Sequence, residues 1–515
     1  MGSRKMTVGD VLSFFANRNP DKVAVYHADK AITFRDLNIR VNKLANKLRS
    51  LGFQMNDKVS ILLRNCSEYI EIVFALAKIG VTSVPINFRL VGEEIKYIVN
   101  DSDSKGLILE EEFVGRVASV RSQLNVPSDK YYLIGNIGVE HMVPYESLFE
   151  GSTFEEPNVA VDEDSCFVMA YTSGTTGRPK GVAASHKVKF LDFLAQAVEF
   201  KISEDNIHLV AAPLCHSGGM FFCLGRLAIG GTICIMRQFD AEEALKLIDE
   251  KRITNTFMVP TMFNFILELP EEKRKKYDVS SMRVLNCAGA PLPTRTKEGL
   301  IAYFRHAGLN EHYGSTECAV ATYLNPCDQL RKVRCVGKPF WGVEIKLLNE
   351  KKEQVPVHET GEITLKSPYM MDGYYKRGRE GFDGEWFFTG DLAKQDEEGY
   401  FYIVDRKVDM IISGGENIYP AEIEEALYSN PKISEAAVIG VPDERWGESV
   451  KALLVLKEGE TASEEEIIEY CKTRLGGYKI PRSVHFLNEL PKSSSGKILK
   501  RILREEYWMG KEVKV

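Results

Sequence analysis

Apolar, β-branched runs alternate with helical patterns along most of the chain. VSILLRN at 59–65 has the continuous apolar character of a buried strand, SEYIEIVFALAKIG at 67–80 has helical spacing and stops at a glycine, and VTSVPIN at 81–87 resumes as a strand. This β-α-β order predicts a parallel sheet. It recurs in HLVAAPL, a Gly-rich turn with a helix, and GTICIM, and again in ITNTFMVP, TMFNFILEL and MRVLNCAGA. From about residue 331 the texture changes to short alternating strands rich in glycine, GVEIKLLN, GEITLKS, GEWFFTGD and GYFYIVDR, which predict a small antiparallel or barrel-like subdomain. After Asp405 the helical character returns in AEIEEALYSN and ASEEEIIEYCKTRL, interleaved with the apolar runs AAVIGVPD, KALLVL and VHFL. Some 110 residues suffice for a compact α+β domain, so a boundary is expected near 405 to 408.

Composition narrows the class. A chain of 515 residues is too long for one core, and 44 % hydrophobic with 27 % charged residues is ordinary for a globular protein. A formal net charge of -7 argues against nucleic acid as an obligate partner. The best apolar run, IVFALAKIGVTSVPI at 72–86, is short and carries Lys78, so no transmembrane segment is expected. The start, MGSRKMTVGDVLSFF, lacks the apolar core and cleavage site of a secretory leader, and the final KVKV is not a peroxisomal address. Ten cysteines occur without a C-x-x-C pair, which fits reduced thiols in a cytoplasmic protein. Cys215, Cys287 and Cys318 read as small buried hydrophobes.

Chemistry concentrates first in YTSGTTGRPKG at 171–181. It follows the apolar run SCFVMAY and precedes a helix expected near Ser185, so it reads as a strand-to-helix loop. Glycines let backbone N–H groups close round an anion, Thr172, Ser173, Thr175 and Thr176 offer hydroxyls, and Arg178 and Lys180 add positive charge. A polyphosphate is the natural guest. The loop is not a Walker A motif, because Gly177 is followed by Arg178 and Pro179 rather than by lysine and a hydroxyl residue.

This stretch resembles the phosphate-loop signature of the adenylate-forming superfamily, which includes acyl-CoA synthetases, the adenylation domains of peptide synthetases and firefly luciferase. Further matches follow in order over 171 to 501. The resemblance implies that Thr172, Ser173, Gly174, Thr175, Thr176, Gly177 and Lys180 hold ATP phosphates, and that Gly289, Ala290 and Pro291 of NCAGAPLP leave room for adenine. In HYGSTE it implies nucleotide contacts from His312, Tyr313, Gly314 and Ser315, with Tyr313 against the base, Thr316 reaching the phosphate and Glu317 holding magnesium. Asp391 of TGD and Arg406 of VDRK match the ribose-binding positions, and Lys497 of PKSSSGKILKR is similar to the mobile catalytic lysine. His216 in AAPLCHSGGMFF resembles the histidine beside the substrate carboxylate. Gly414 and Gly415 of IISGGENIYPAEIE, with Lys479 of GGYKIPR, match the side that meets CoA. The hinge position, usually Asp or Lys in the family, is here Val408, a stiffer β-branched residue.

The fold so implied is α/β: a large N-terminal domain, residues 1–405, of two doubly wound α/β subdomains plus a distorted β-barrel, and a small mobile α+β lid, residues 406–515. The implied activity is an ATP-dependent acyl-CoA ligase. With Mg2+, ATP and CoA it would form an acyl-adenylate and pyrophosphate, then a thioester and AMP. No aspartate is available to hold a substrate amine, and the neighbouring Met, Phe and Leu residues favour an apolar tail. A medium- or long-chain fatty acid is the first expectation and an aryl or cyclic carboxylate the second. A stand-alone adenylation module that loads a carrier protein is the competing reading. The sequence is compatible with a homodimer.

Overall fold

Each of the β-α-β units read from the sequence forms, and its strands run parallel. The computed structural model describes residues 6–136, 138–172, 179–407, 409–413, 416–443, 446–492 and 497–509. In the first unit, Lys58–Leu62 and Thr82–Pro85 are parallel neighbours joined by the helix Ser67–Lys78, which is buried from Tyr69 onward. Lys78 is tolerated there because its ammonium donates to Asn38 and Asn42 and pairs with Glu156 at 2.7 Å. The strands Gly106–Glu110, Tyr131–Ile134 and Cys166–Thr172 extend this sheet in parallel, and Lys180–Ser185 and Gly373–Tyr374 close it in the antiparallel sense.

The later units build a second, nine-stranded sheet. Ile207–Val210, Thr232–Ile235, Asn255–Met258, Val284–Cys287 and Gly308–Ser315 are parallel, and Ala319–Leu324 folds back against the last of them. The N-terminal strand Val23–His27 also joins this sheet, pairing Val25 with Ile233. The helices His186–Glu199 and Ser217–Leu227 lie side by side, with Gly225 facing Phe193.

Short strands form an antiparallel sheet of Glu344–Leu348, Gly361–Lys366, Phe382–Asp383, Trp386–Gln395 and Phe401–Arg406. A last sheet combines Ile411–Ser413, Glu416–Ile418, Ile433–Asp443, Gly447–Leu456 and Ser483–Phe486 with the helices Pro420–Tyr428 and Glu464–Lys472 round a separate core. The architecture is thus α/β, with a large N-terminal part and a separate α+β C-terminal domain. Arg406 still belongs to the antiparallel sheet and Ile411 already to the last one. Among the described residues, no helix is long and apolar enough to cross a membrane.

One expectation is corrected. The stretch YTSGTTGRPKG does not lead into a helix: Thr172 pairs with Lys180 and Tyr171 with Gly181, so it connects two antiparallel strands. The small residues of KGVAAS complete an extended strand before Ser185 caps the helix His186–Glu199, its hydroxyl accepting from Val188 N–H. The helix His186–Glu199 therefore does not begin at this loop.

Candidate active site

The ends of several strands bring the motif residues together. Gly308–Ser315 and Ala319–Leu324 carry HYGSTE into the turn between them, and Gly314 is required there, since a Cβ would lie 1.9 Å from the Ala319 carbonyl oxygen. Glu317 is held by three contacts: its backbone N–H donates to Ser315 Oγ at 3.2 Å, Thr172 Oγ1 donates to its Oε1 at 3.4 Å, and Tyr374 donates to the same oxygen at 3.1 Å. Its carbonyl accepts from Met371 N–H at 2.8 Å. A carboxylate and a hydroxyl at the foot of the phosphate loop fit a hard cation that takes its other ligands from phosphate and water, and no cluster of three acidic, His or Cys ligands occurs among the described residues. Thr316 shares a 2.9 Å hydrogen bond with Ser217, the first residue of the helix Ser217–Leu227.

A second group forms across two sheets. Tyr313 donates to Asp391 Oδ2 at 2.5 Å, and Arg406 Nε stands 3.4 Å from Asp391 Oδ1. Burial raises the Asp391 carboxyl above its usual range, opposed by Arg406, the Tyr313 hydrogen bond and Lys497. Burial also raises the Tyr313 phenol, with Asp391 adding to the effect. Lys497 is open to solvent, yet the protein around its ammonium and the neighbouring Arg406 push it below its usual range, against the pull of Asp391 and Glu317. Lys497, from the C-terminal domain, thus feels the charges of Glu317, Asp391 and Arg406. Gly289, at φ +93°, and the exposed Ala290 and Pro291 form an open rim at the end of the strand Val284–Cys287.

Other expected residues stand elsewhere or are already engaged. His312 is 5 % exposed and stacks on Phe222 at 5.2 Å with 10° between planes, within an aromatic layer under the sheet. Burial pushes its imidazole down to about 3, with Arg226 adding to the effect. His216 lies at the N-terminus of the helix Ser217–Leu227, its Nε2 3.3 Å from Asn87 Nδ2. Lys180 pairs with Glu380 at 2.7 Å. Lys479 is bridged to both oxygens of Glu422 at 2.7 Å, inside the C-terminal domain. Ser173, Gly174, Thr175, Thr176 and Gly177 lie outside the described residues, as do Val408, Gly414 and Gly415.

The sequence reading missed Tyr374, Ser217, Asn87 and Glu380. Each reaches its partner across at least 57 residues, and only the folded chain brings the pairs together. The run MMDGYYKRG, aromatic residues next to a glycine in a polar segment, was the one local signal for Tyr374.

Comparison with known proteins adds independent findings. Residues 12–375 match the family described as AMP-binding enzyme, and residues 422–497 match the AMP-binding enzyme C-terminal domain. Feruloyl-CoA synthase of Amycolatopsis sp is 37 % identical, over 96 % of this chain and 97 % of that one. Long-chain-fatty-acid–CoA ligase FadD13 of Mycobacterium tuberculosis is 35 % identical, over 93 % and 94 %. The crystal structure of the anthranilate CoA ligase AuaEII in complex with anthranoyl-AMP superposes with a TM-score of 0.90 at 27 % identity, over 98 % of both chains.

Proposed function

Because the chain belongs to the AMP-binding enzyme family and is an AMP-forming acid–thiol ligase, we propose that it joins an aromatic carboxylic acid to CoA. One observation carries the choice of acid. The helix Ser217–Leu227 starts beside Thr316, its Gly218 faces Phe257, and Phe222 stacks on Phe257 at 4.5 Å with 17° between planes. A side chain at Gly218 would collide with the Phe257 ring at 2.8 Å, so aromatic faces pack directly against the start of this helix, and a flat group is the natural neighbour for them. Feruloyl-CoA synthase, as a relative, supports the same reading.

In the first half-reaction a carboxylate oxygen of the acid bonds to the α-phosphorus of ATP and the bond to pyrophosphate breaks. Lys497 bridges the incoming carboxylate and the α-phosphate, so that its charge offsets what accumulates there. Asp391 and Arg406 hold the ribose, and the Tyr313 hydrogen bond orients Asp391. Lys180 leaves Glu380 for the departing phosphates. Glu317, steadied by Tyr374 and Thr172, would hold magnesium, which when bound neutralises phosphate charge. His216 at the head of the helix orients the carboxylate.

In the second half-reaction the CoA sulfur bonds to the acyl carbon and AMP leaves. For this the domain from 406 to 515 rotates about Val408, withdraws Lys497 and presents the backbone at Gly414 and Gly415 with Lys479. The test is a panel of carboxylic acids assayed for ATP-dependent AMP release with CoA, without thiol, and with a pantetheinylated carrier protein. Turnover of aryl acids that needs CoA is the expected result; carrier-dependent turnover alone would make the chain a loading module. A second reading, a medium- or long-chain fatty acid, is favoured by the 35 % identical FadD13 and predicts turnover that rises with chain length.

A further inference from the structure

The buried layer beneath the helix Ser217–Leu227 holds polar atoms that have no hydrogen-bond partner among the described residues. Arg226, 1 % exposed near the end of the helix Ser217–Leu227, donates through Nη1 to Gln196 at 2.9 Å and through Nε to Asn255 at 3.2 Å, while its Nη2 has no partner. Both ring nitrogens of His312 and the side-chain nitrogen of Asn286 are likewise buried without partners. These groups lie on one face of the sheet. Asn286 sits opposite both Phe257 and Asn310 in the sheet, and His312, two residues beyond Asn310, points to the same face. Phe222 stacks on His312 and carries the Arg226 guanidinium 4.9 Å from its ring centre. Buried polar groups are normally paired, so orphans on one face of the sheet, two of them against Phe222, mark a missing partner.

The chemistry of the set selects that partner. Arg226 and Asn286 offer donors only. His312 is neutral, because burial and the Arg226 charge hold its imidazole near 3, and so it needs one donor and one acceptor. A methyl group would satisfy none of these atoms, and a carboxylate would leave the imidazole acceptor open. A hydroxyl accepts from Arg226 or Asn286 and donates to the acceptor nitrogen of His312, the one pairing that neither a methyl nor a carboxylate can make. The position also fits: Arg226 lies eight residues along the helix from Gly218, about 12 Å at the helical rise, with Phe222 and Phe257 forming the wall between them.

We propose that Arg226, His312 and Asn286 form a polar subsite at the far end of the acyl site that reads a hydroxyl on the aromatic ring of the acid. The inference rests on the aromatic reading above. It is tested with a matched pair, cinnamic and 4-hydroxycinnamic acid, by comparing kcat/KM for CoA-ester formation. The hydroxylated acid is expected to lead by more than about tenfold, and the ratio to fall near one in Arg226→Met and in His312→Phe. Arg226→Lys, which keeps a donor and the charge, should retain part of the preference and covers the case where the other variants do not fold. Equal efficiencies in the unmodified enzyme overturn the inference alone, the orphan atoms then holding water only. A preference unchanged by the substitutions overturns it too, since the hydroxyl is then read elsewhere. Fatty-acid turnover with neither aryl acid accepted overturns the aromatic reading and this inference with it.

Discussion

Tyr313 and Asp391, 78 residues apart and on different sheets, are joined by a 2.5 Å hydrogen bond from the phenol to the carboxylate. The bond ties HYGSTE to TGD, two motifs that the sequence reading could only place in order. Tyr313→Phe removes it and leaves the Asp391 carboxylate, raised by burial, with Arg406 as its nearest support. We expect KM for ATP to rise about tenfold, about 1.4 kcal/mol, with kcat changed less. An unchanged KM would show that Asp391 needs no such orientation.

The role proposed for Lys497 is confined to the first half-reaction. Lys497→Ala should lower ATP–pyrophosphate exchange by a hundredfold or more, about 3 kcal/mol, while transfer to CoA from a supplied acyl-adenylate survives. Full exchange activity in this variant refutes the assignment.

Glu317 and Tyr374 make a graded pair. Glu317→Gln should raise the Mg2+ concentration needed for half-maximal activity strongly, and Tyr374→Phe by about tenfold through loss of the 3.1 Å hydrogen bond that aims the carboxylate. A Mg2+ titration of initial rates measures both, and a Tyr374→Phe curve that overlays the unmodified one counts against the positioning role.

Val408 lies outside the described residues, between Arg406, paired with Asp391, and Asp409, paired with Arg504. Val408→Asp is expected to change CoA-ester formation more than pyrophosphate exchange, because in the proposed mechanism only the second step follows the turning of the domain. Equal effects on the two assays would separate this residue from the turning.

Stability should fall in mild acid for a definable reason. His186 is fully buried, its Nδ1 accepts from Val8 N–H at 3.3 Å, and burial pushes its imidazole down to about 4. In the unfolded chain the ring protonates near its ordinary 6.5, so the unfolded state takes up the proton first as pH drops. Its contribution is complete above pH 6.5 and lost progressively toward 4, about 3 kcal/mol in all. His312, held near 3, acts with the same sign. Urea midpoints between pH 7 and 4 should decline, and more shallowly in His186→Asn; parallel slopes would remove His186 from the account.

Local pattern determined much of this protein. The β-α-β units, the texture change near 331 and the separate C-terminal domain were legible because strand and helix periods are written in neighbouring residues. The order of the motifs was legible for the same reason. Tertiary structure alone decided the rest. Val23–His27 joins a sheet whose adjacent strand lies some two hundred residues later, and KGVAAS pairs with Cys166–Thr172 as a strand that comes between the loop and the helix expected near Ser185. His312 belongs to HYGSTE by sequence, yet strand alternation turns it away from Tyr313, into the aromatic layer with Phe222. The contacts of Tyr374 with Glu317, and of Lys497 with the charges of Asp391 and Arg406, depend on strand register and domain docking, which no local spacing encodes.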